Sequence, residues 1–207
     1  MADDLPLGRW RGDFGAAYTK RNAADEIKCQ RAARAFASIF SHIDGAMPRS
    51  ILEVGANVGI NLRAIKRICD ATLSAVEPFA GARTILVEDG VVPAESVFDA
   101  IASSLPFASN SIELVFTHGV LIHVPEEDFE KSCREIYRVS SRYILTMEYF
   151  SPSTVKVPYR GYDDMLFKRD YGGVWLDMFP DLKHVANGFF WKRTTGLDNV
   201  NWWLLQK

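Results

Sequence analysis

The chain has little cysteine, and Cys29, Cys69 and Cys133 are far apart with no C-x-x-C pair among them. So scattered and odd a set argues against a disulfide framework and a thiolate zinc site. Each falls in a segment read as helix, where a buried free thiol is expected. No apolar run approaches the roughly 18 residues that a membrane helix needs, and no basic-then-apolar stretch opens the chain. These absences predict a cytoplasmic protein without a membrane partner. The net charge is −2 over 207 residues, so no global basic field argues for nucleic acid. Asp163 and Asp164 are adjacent acids, but two carboxylates give too few oxygens for a hard cation, and no metal site is expected. Internal repeats and low-complexity tracts are also missing.

What is present is a strand that ends in an acid and breaks into a glycine loop, Ile51-Leu52-Glu53-Val54-Gly55-Ala56-Asn57-Val58-Gly59. A helix and a second acid-tipped strand follow, Leu73-Ser74-Ala75-Val76-Glu77-Pro78. Ligands of open α/β sheets sit at the carboxyl ends of the strands. Gly55 allows a sharp turn and a close approach of backbone to ligand. Asn57 tolerates a left-handed conformation and can donate to a carboxylate. Gly59 opens the next helix. Glu77 has the two acceptor oxygens that vicinal ribose hydroxyls require. The dinucleotide fingerprint G-x-G-x-x-G is not matched: Asn57 replaces the middle glycine and the last glycine comes one residue early. Glu53 would repel a pyrophosphate and suits an ammonium. The pattern therefore points to S-adenosylmethionine, with S-adenosylhomocysteine as product, rather than to a nicotinamide cofactor.

The periodicity predicts a helix over 25–43 with Ile27, Phe36, Ile39, Phe40 and Ile43 on one face. Strand 50–54, helix 59–69, strand 72–77, helix 79–88 and a strand near 95–101 follow. After a turn at 105–111 come strand 112–117, a helix opened by Pro125 with Glu126, Glu127 and Asp128 in its first turn, and strand 143–148. Alternation of this kind makes a parallel sheet. The apolar runs 184–193 and 199–206 read as a closing hairpin. The predicted fold is α/β and Rossmann-like, a mostly parallel seven-stranded sheet with a C-terminal antiparallel hairpin and helices on both faces. Residues 1–207 read as one domain, with an N-terminal cap and helix over 1–45 and a substrate-side insertion over 149–181. Trp202 and Trp203 are neighbours in the last strand and must face opposite ways.

The chain resembles class I SAM-dependent methyltransferases over nearly its whole length. More narrowly it is similar to the pseudaminic acid biosynthesis-associated methylases. The narrower likeness rests on Trp10-x-Gly12-x-Phe14-Gly15-x-x-Tyr18-x-x-Arg21-Asn22 and on Phe116-Thr117-His118-Gly119-Val120-Leu121-Ile122-His123-Val124. Pro158-Tyr159-Arg160-Gly161, Leu166-Phe167-Lys168-Arg169-Asp170 and the tail segments Gly188-Phe189-Phe190-Trp191-Lys192-Arg193 and Trp202-Trp203-Leu204-Leu205 complete it. The resemblance implies methyl transfer in the setting of nonulosonic, sialic-acid-like sugars. Two positions depart from the usual pattern: Ile101 stands where an adenine-reading acid is common, and His118 where lysine is usual.

The expected cofactor residues are Glu53, Gly55, Ala56, Asn57, Gly59, Glu77, Pro78, Ile101, Ala102 and Gly119. Tyr18, Arg21 and Asn22 close the pocket from above, with Arg21 on the methionine carboxylate. Adenine is read either by Asp99 or by the backbone near Ile101 and Ala102. A hydroxyl acceptor also needs a base. His123 is the first choice and His118 the second, while His42 and His184 read as structural. In the aromatic, cationic insertion, Tyr159, Arg160, Lys168 and Arg169 are the expected substrate residues for a small acidic sugar or a nucleotide-linked sugar. The alternatives are another small metabolite, a nucleic acid, or a SAM-binding protein without turnover; the oligomer is read as monomer or homodimer.

Overall fold

The computed structural model describes residues 6–207. Two short helices come first, α1 (Pro6–Arg11) and α2 (Asp13–Arg21), then α3 (Glu26–Phe40). Asp25 caps α3 by accepting from the Lys28 N–H at 2.8 Å. Next come β1 (Ser50–Val54), α4 (Ile60–Ile65), β2 (Thr72–Val76), α5 (Ala80–Glu88), β3 (Val97–Phe98) and β4 (Ile112–His118). A 3-10 turn at Leu121–His123 leads to α6 (Glu126–Val139) and β5 (Ser140–Glu148). The small strands β6 (Val155–Lys156) and β7 (Phe167–Lys168) precede α7 (Tyr171–Met178), and β8 (Lys183–Phe190), α8 (Lys192–Thr195) and β9 (Val200–Gln206) end the chain.

The main sheet has the order β3-β2-β1-β4-β5-β9-β8. Its first five strands are parallel, and β9 and β8 run antiparallel at one edge. Chain order reverses between β1 and β4, and a sheet of this kind offers its ligand crevice at the carboxyl ends there. The predicted seven-stranded sheet and closing hairpin are present.

Each face of the sheet buries its own apolar layer. Phe36, Ile39, Leu62 and Ile65 cover one face with Trp202, and Phe129, Cys133, Ile136 and Trp175 cover the other with Trp203. The two tryptophans thus divide between the layers, as strand alternation requires. His42 packs on Trp202 with ring centroids 5.7 Å apart, and His184 bonds Asn187, both far along the chain from the strand tips.

Several local expectations are corrected. Helix α4 stops at Ile65, because Arg67 and Ile68 donate to Ala64 and Ile65 in a tightened final turn. Cys69 therefore lies beyond that helix. Ile27 is 61% exposed, because at about 3.6 residues per turn it falls on the side of α3 opposite Phe36, while Cys29 in the same first turn is buried. Ile43 is buried but follows the helix, which ends at Phe40. The third strand is only two residues long. Pro93 and a 3-10 turn precede it, and the chain turns away at Asp99, which is held by Arg11 and Arg83 at 2.9 Å each.

Candidate functional site

The tip of β1 builds the first wall. Gly55 has φ +77°, and a Cβ there would lie 2.5 Å from a Val120 methyl, so only glycine lets the loop pass under the β4 loop. Asn57 takes φ +46°, and its Oδ1 accepts from Thr19 Oγ1 at 2.8 Å, which ties α2 to the glycine loop. The tip of β2 builds the second wall. Glu77 is buried and accepts one backbone N–H on each oxygen, from Phe79 and from Asn57, both at 2.8 Å. Its carboxyl is fixed in place and its other lone pairs remain for a ligand. Burial raises its pKa above the ordinary carboxylate value despite those bonds.

A chain of polar groups runs behind this wall. Asn61 donates to Glu53 Oε1 at 2.6 Å, and Asn61 Oδ1 lies 3.2 Å from His118 Nδ1. Glu53 Oε2 is buried without a partner among the described residues. Burial pushes the Glu53 carboxyl up to about 8, with Asn61 opposing the shift. Beyond β4, Glu148 accepts the backbone N–H groups of Val120, Leu121 and Ile122 at 3.1–3.3 Å and so fixes the turn that presents His123. Burial raises Glu148 to about 7. His123 Nδ1 bonds the Met165 carbonyl, which makes Nδ1 the donor and leaves Nε2 as the bare acceptor. Its ring centroid stands 4.8 Å from that of Trp10 and 5.1 Å from that of Tyr159. Burial holds both His118 and His123 near 4, so each imidazole is neutral at pH 7.

Thr19, Glu53, Gly55, Asn57, Asn61, Glu77, His118 and His123 border one cavity of about 960 Å³, with Glu148 behind its wall. It also takes in Tyr18, Arg21, Asn22, Ala56, Pro78, Ile101, Ala102, Gly119, Tyr159 and Arg160. Burial pushes the Tyr18 hydroxyl up to about 12. At the upper end of the usual size of ligand sites, the cavity has room for a cofactor and a small second molecule.

Four expected positions lie elsewhere. Gly59 is outside the lining; it caps α4 at φ +74°, and a Cβ would meet Leu86 and Val91. Asp99 is engaged by Arg11 and Arg83 and does not border the cavity, whereas Ile101 and Ala102 do. Arg169 is 2% exposed, faces the Phe129 and Phe167 rings at 4.2 and 4.7 Å, and donates to Glu126 at 2.8 Å and to the Leu121 carbonyl at 3.4 Å. It braces the β4 loop from behind and does not face a ligand. Lys168, on β7, lies with its amine 6.0 Å from the Tyr149 ring and outside the lining.

The cavity also includes residues that sequence reasoning missed: Thr19, Asn61, Lys28, Arg31 and Asp198. Thr19 lay inside the quoted N-terminal motif. Asp198 sits just before the last strand, and its partners Lys192 at 2.9 Å and Tyr149 at 3.4 Å are joined to it only by the fold.

The donor set fits S-adenosylmethionine. The orphaned oxygen of Glu53 could take a cation such as the methionine ammonium, and the two oxygens of Glu77 keep lone pairs that vicinal ribose hydroxyls could use. Among the described residues no group of three or more His, Cys, Asp or Glu could hold a metal ion, and no helix is long and apolar enough to cross a membrane.

Comparison with known proteins agrees. Residues 52–142 match the family model described as a methyltransferase domain. No curated protein sequence matches the chain. Its fold is similar to that of a SAM-dependent methyltransferase from Leishmania major, at 16% identity and a TM-score of 0.70 over 97% of this chain and 81% of that one. It is similar to 1,6-didemethyltoxoflavin-N1-methyltransferase from Burkholderia thailandensis, at 13% identity and TM-score 0.68, over 95% and 86% of the two chains. Magnesium protoporphyrin IX methyltransferase from Synechocystis gives 11% identity and TM-score 0.70, with 96% of each chain covered. At these identities the structures establish the fold alone. With the matched segment they show an α/β, Rossmann-like methyltransferase fold, and methyl transfer from S-adenosylmethionine is the activity to which segment and fold together point. The matched segment runs from β1 into β5.

Proposed function

We propose that the protein methylates a hydroxyl or amino group on a small acidic, sugar-like metabolite of the kind made in nonulosonic (pseudaminic) acid or surface-polysaccharide biosynthesis. The observation that carries this reading is the cavity itself. It joins the acid-tipped strands β1 and β2 to a neutral histidine and to the guanidinium groups of Arg21 and Arg160. The quoted sequence motifs supply the sugar-acid class. Tyr159 and Trp10 add the aromatic surfaces on which a sugar ring packs.

The bound cofactor would supply an electrophilic methyl group on a sulfonium. The chain's part is to hold donor and acceptor in line at near-contact distance. Glu77 takes the ribose hydroxyls, Glu53 the ammonium and Arg21 the carboxylate, while Pro78, Ile101 and Ala102 border the base. His123 accepts the acceptor's proton at Nε2. The test is a screen of acidic sugars and their neutral counterparts with S-adenosylmethionine, read by mass spectrometry. Methylation restricted to the acidic members is the expected result. Turnover only on neutral metabolites or on nucleic acid would overturn the acceptor class.

A further inference from the structure

Arg21, Arg31, Arg34, Arg160 and Arg193 have no carboxylate or carbonyl partner among the described residues. Every other arginine there forms an ion pair. All of these guanidiniums but Arg193 gather at two adjoining hollows. Arg21, Arg31 and Arg160 border the large cavity. Arg31 and Arg34 border a second groove of about 180 Å³, with Phe190, Thr194 and Leu197. Arg31 and Leu197 belong to both linings, so groove and cavity adjoin at these two residues.

We propose that this groove between α3 and α8 is an anion subsite that takes a phosphate or diphosphate tail on the acceptor. Arg31 and Arg34 are three residues apart and share one exposed face of α3. Two like charges at that spacing repel one another, and no acid relieves them. A dianion does. The Arg31 guanidinium is also held rather than free. It packs on the backbone of the α8 turn, where a Cβ on Gly196 would come within 2.4 Å of its Nε. A planar, pre-placed guanidinium matches the oxygens of a phosphate better than a mobile ammonium does. The hydroxyls of Thr194 and Thr195 already donate to the Trp191 carbonyl, so the guanidiniums carry the contact. The subsite rests on the proposed function only in taking its occupant for the acceptor's tail.

The test titrates inorganic pyrophosphate, and glucuronate as its carboxylate counterpart, into wild type, Arg34→Ala and Lys131→Ala, with S-adenosylhomocysteine titrated into the same proteins. Lys131 is an exposed cation on α6 and controls for general charge. Pyrophosphate should bind wild type and Lys131→Ala equally and Arg34→Ala at least fivefold more weakly, with S-adenosylhomocysteine affinity unchanged throughout. Equal pyrophosphate binding by wild type and Arg34→Ala, or no binding at all, overturns the subsite. Arg34-dependent binding of glucuronate alone overturns its assignment to phosphate. Failure of S-adenosylhomocysteine to bind wild type strikes the methyltransferase reading and leaves the pyrophosphate result to stand on its own.

Discussion

Asn61 holds Glu53 by one oxygen only: its amide donates to Oε1 at 2.6 Å, and Oε2 is left buried with no donor among the described residues. The unmet oxygen is what a ligand ammonium would satisfy. Burial raises Glu53 to about 8, so in the free protein the carboxyl is largely protonated at neutral pH. Binding a cation there expels the proton. S-adenosylhomocysteine should therefore bind more tightly as pH rises from about 6 to 8, with close to one proton released per ligand at the low end. Calorimetry in buffers of different ionisation enthalpy reads that proton directly. Glu53→Gln should abolish the release.

The same carboxyl sets a pH dependence of stability. Folded Glu53 keeps its proton up to about 8, whereas the unfolded chain loses it near 4.5. The folded state binds more protons across that window, so this contribution falls as pH rises. His118 and His123 are held down to about 4 and act oppositely, mainly below about 6.5, and Glu148, raised to about 7, acts in the same direction as Glu53 in the lower part of the window, so the histidine and Glu148 contributions partly offset there. Between pH 6.5 and 8 the free protein should lose about 1 kcal/mol per pH unit. Denaturant melts at several pH values check this, and Glu53→Gln should flatten the slope.

Glu77→Ala removes both carboxylate oxygens that the Phe79 and Asn57 N–H groups hold in place. The loss should weaken S-adenosylhomocysteine binding by more than about tenfold. Equal affinity in wild type and variant would take Glu77 out of the ribose contact.

His123→Ala should leave S-adenosylhomocysteine affinity within about twofold and lower kcat by about a hundredfold. With its pKa near 4, His123 is in the base form throughout pH 6–8. The kcat profile should therefore show no rise from its titration in that range. A variant with normal turnover would reduce the residue to packing against Trp10 and Tyr159.

Arg169→Ala should act on stability rather than on ligands. The side chain is buried on two aromatic rings and bonds Glu126 and the loop carbonyls. Its loss should cost about 2–4 kcal/mol, with S-adenosylhomocysteine affinity unchanged below the melting temperature.

The sheet and the two strand tips were legible because their signals are local. Glu53, Gly55, Asn57 and Glu77 are each read from a few neighbouring residues, and the fold brings all four to one cavity. The closing hairpin was legible from two apolar runs, and the opposed tryptophans from strand alternation. The other cavity residues come together only through the fold. Asn61 points from α4 to Glu53 and His118, and Asp198 comes from a loop inside the hairpin. Arg169 read as a ligand-binding cation because sequence cannot tell a guanidinium that braces a loop from one that faces a cavity. The length of α4 was overestimated because Ile68 continues its apolar spacing after the backbone has left the helix.

The most direct measurement is calorimetric titration of the protein with S-adenosylhomocysteine, with NAD as control. Saturable binding of S-adenosylhomocysteine alone, with proton release below pH 8, is the expected result. Binding of NAD instead, or of neither, would contradict the assignment of the cavity at the tips of β1, β2 and β4 to S-adenosylmethionine.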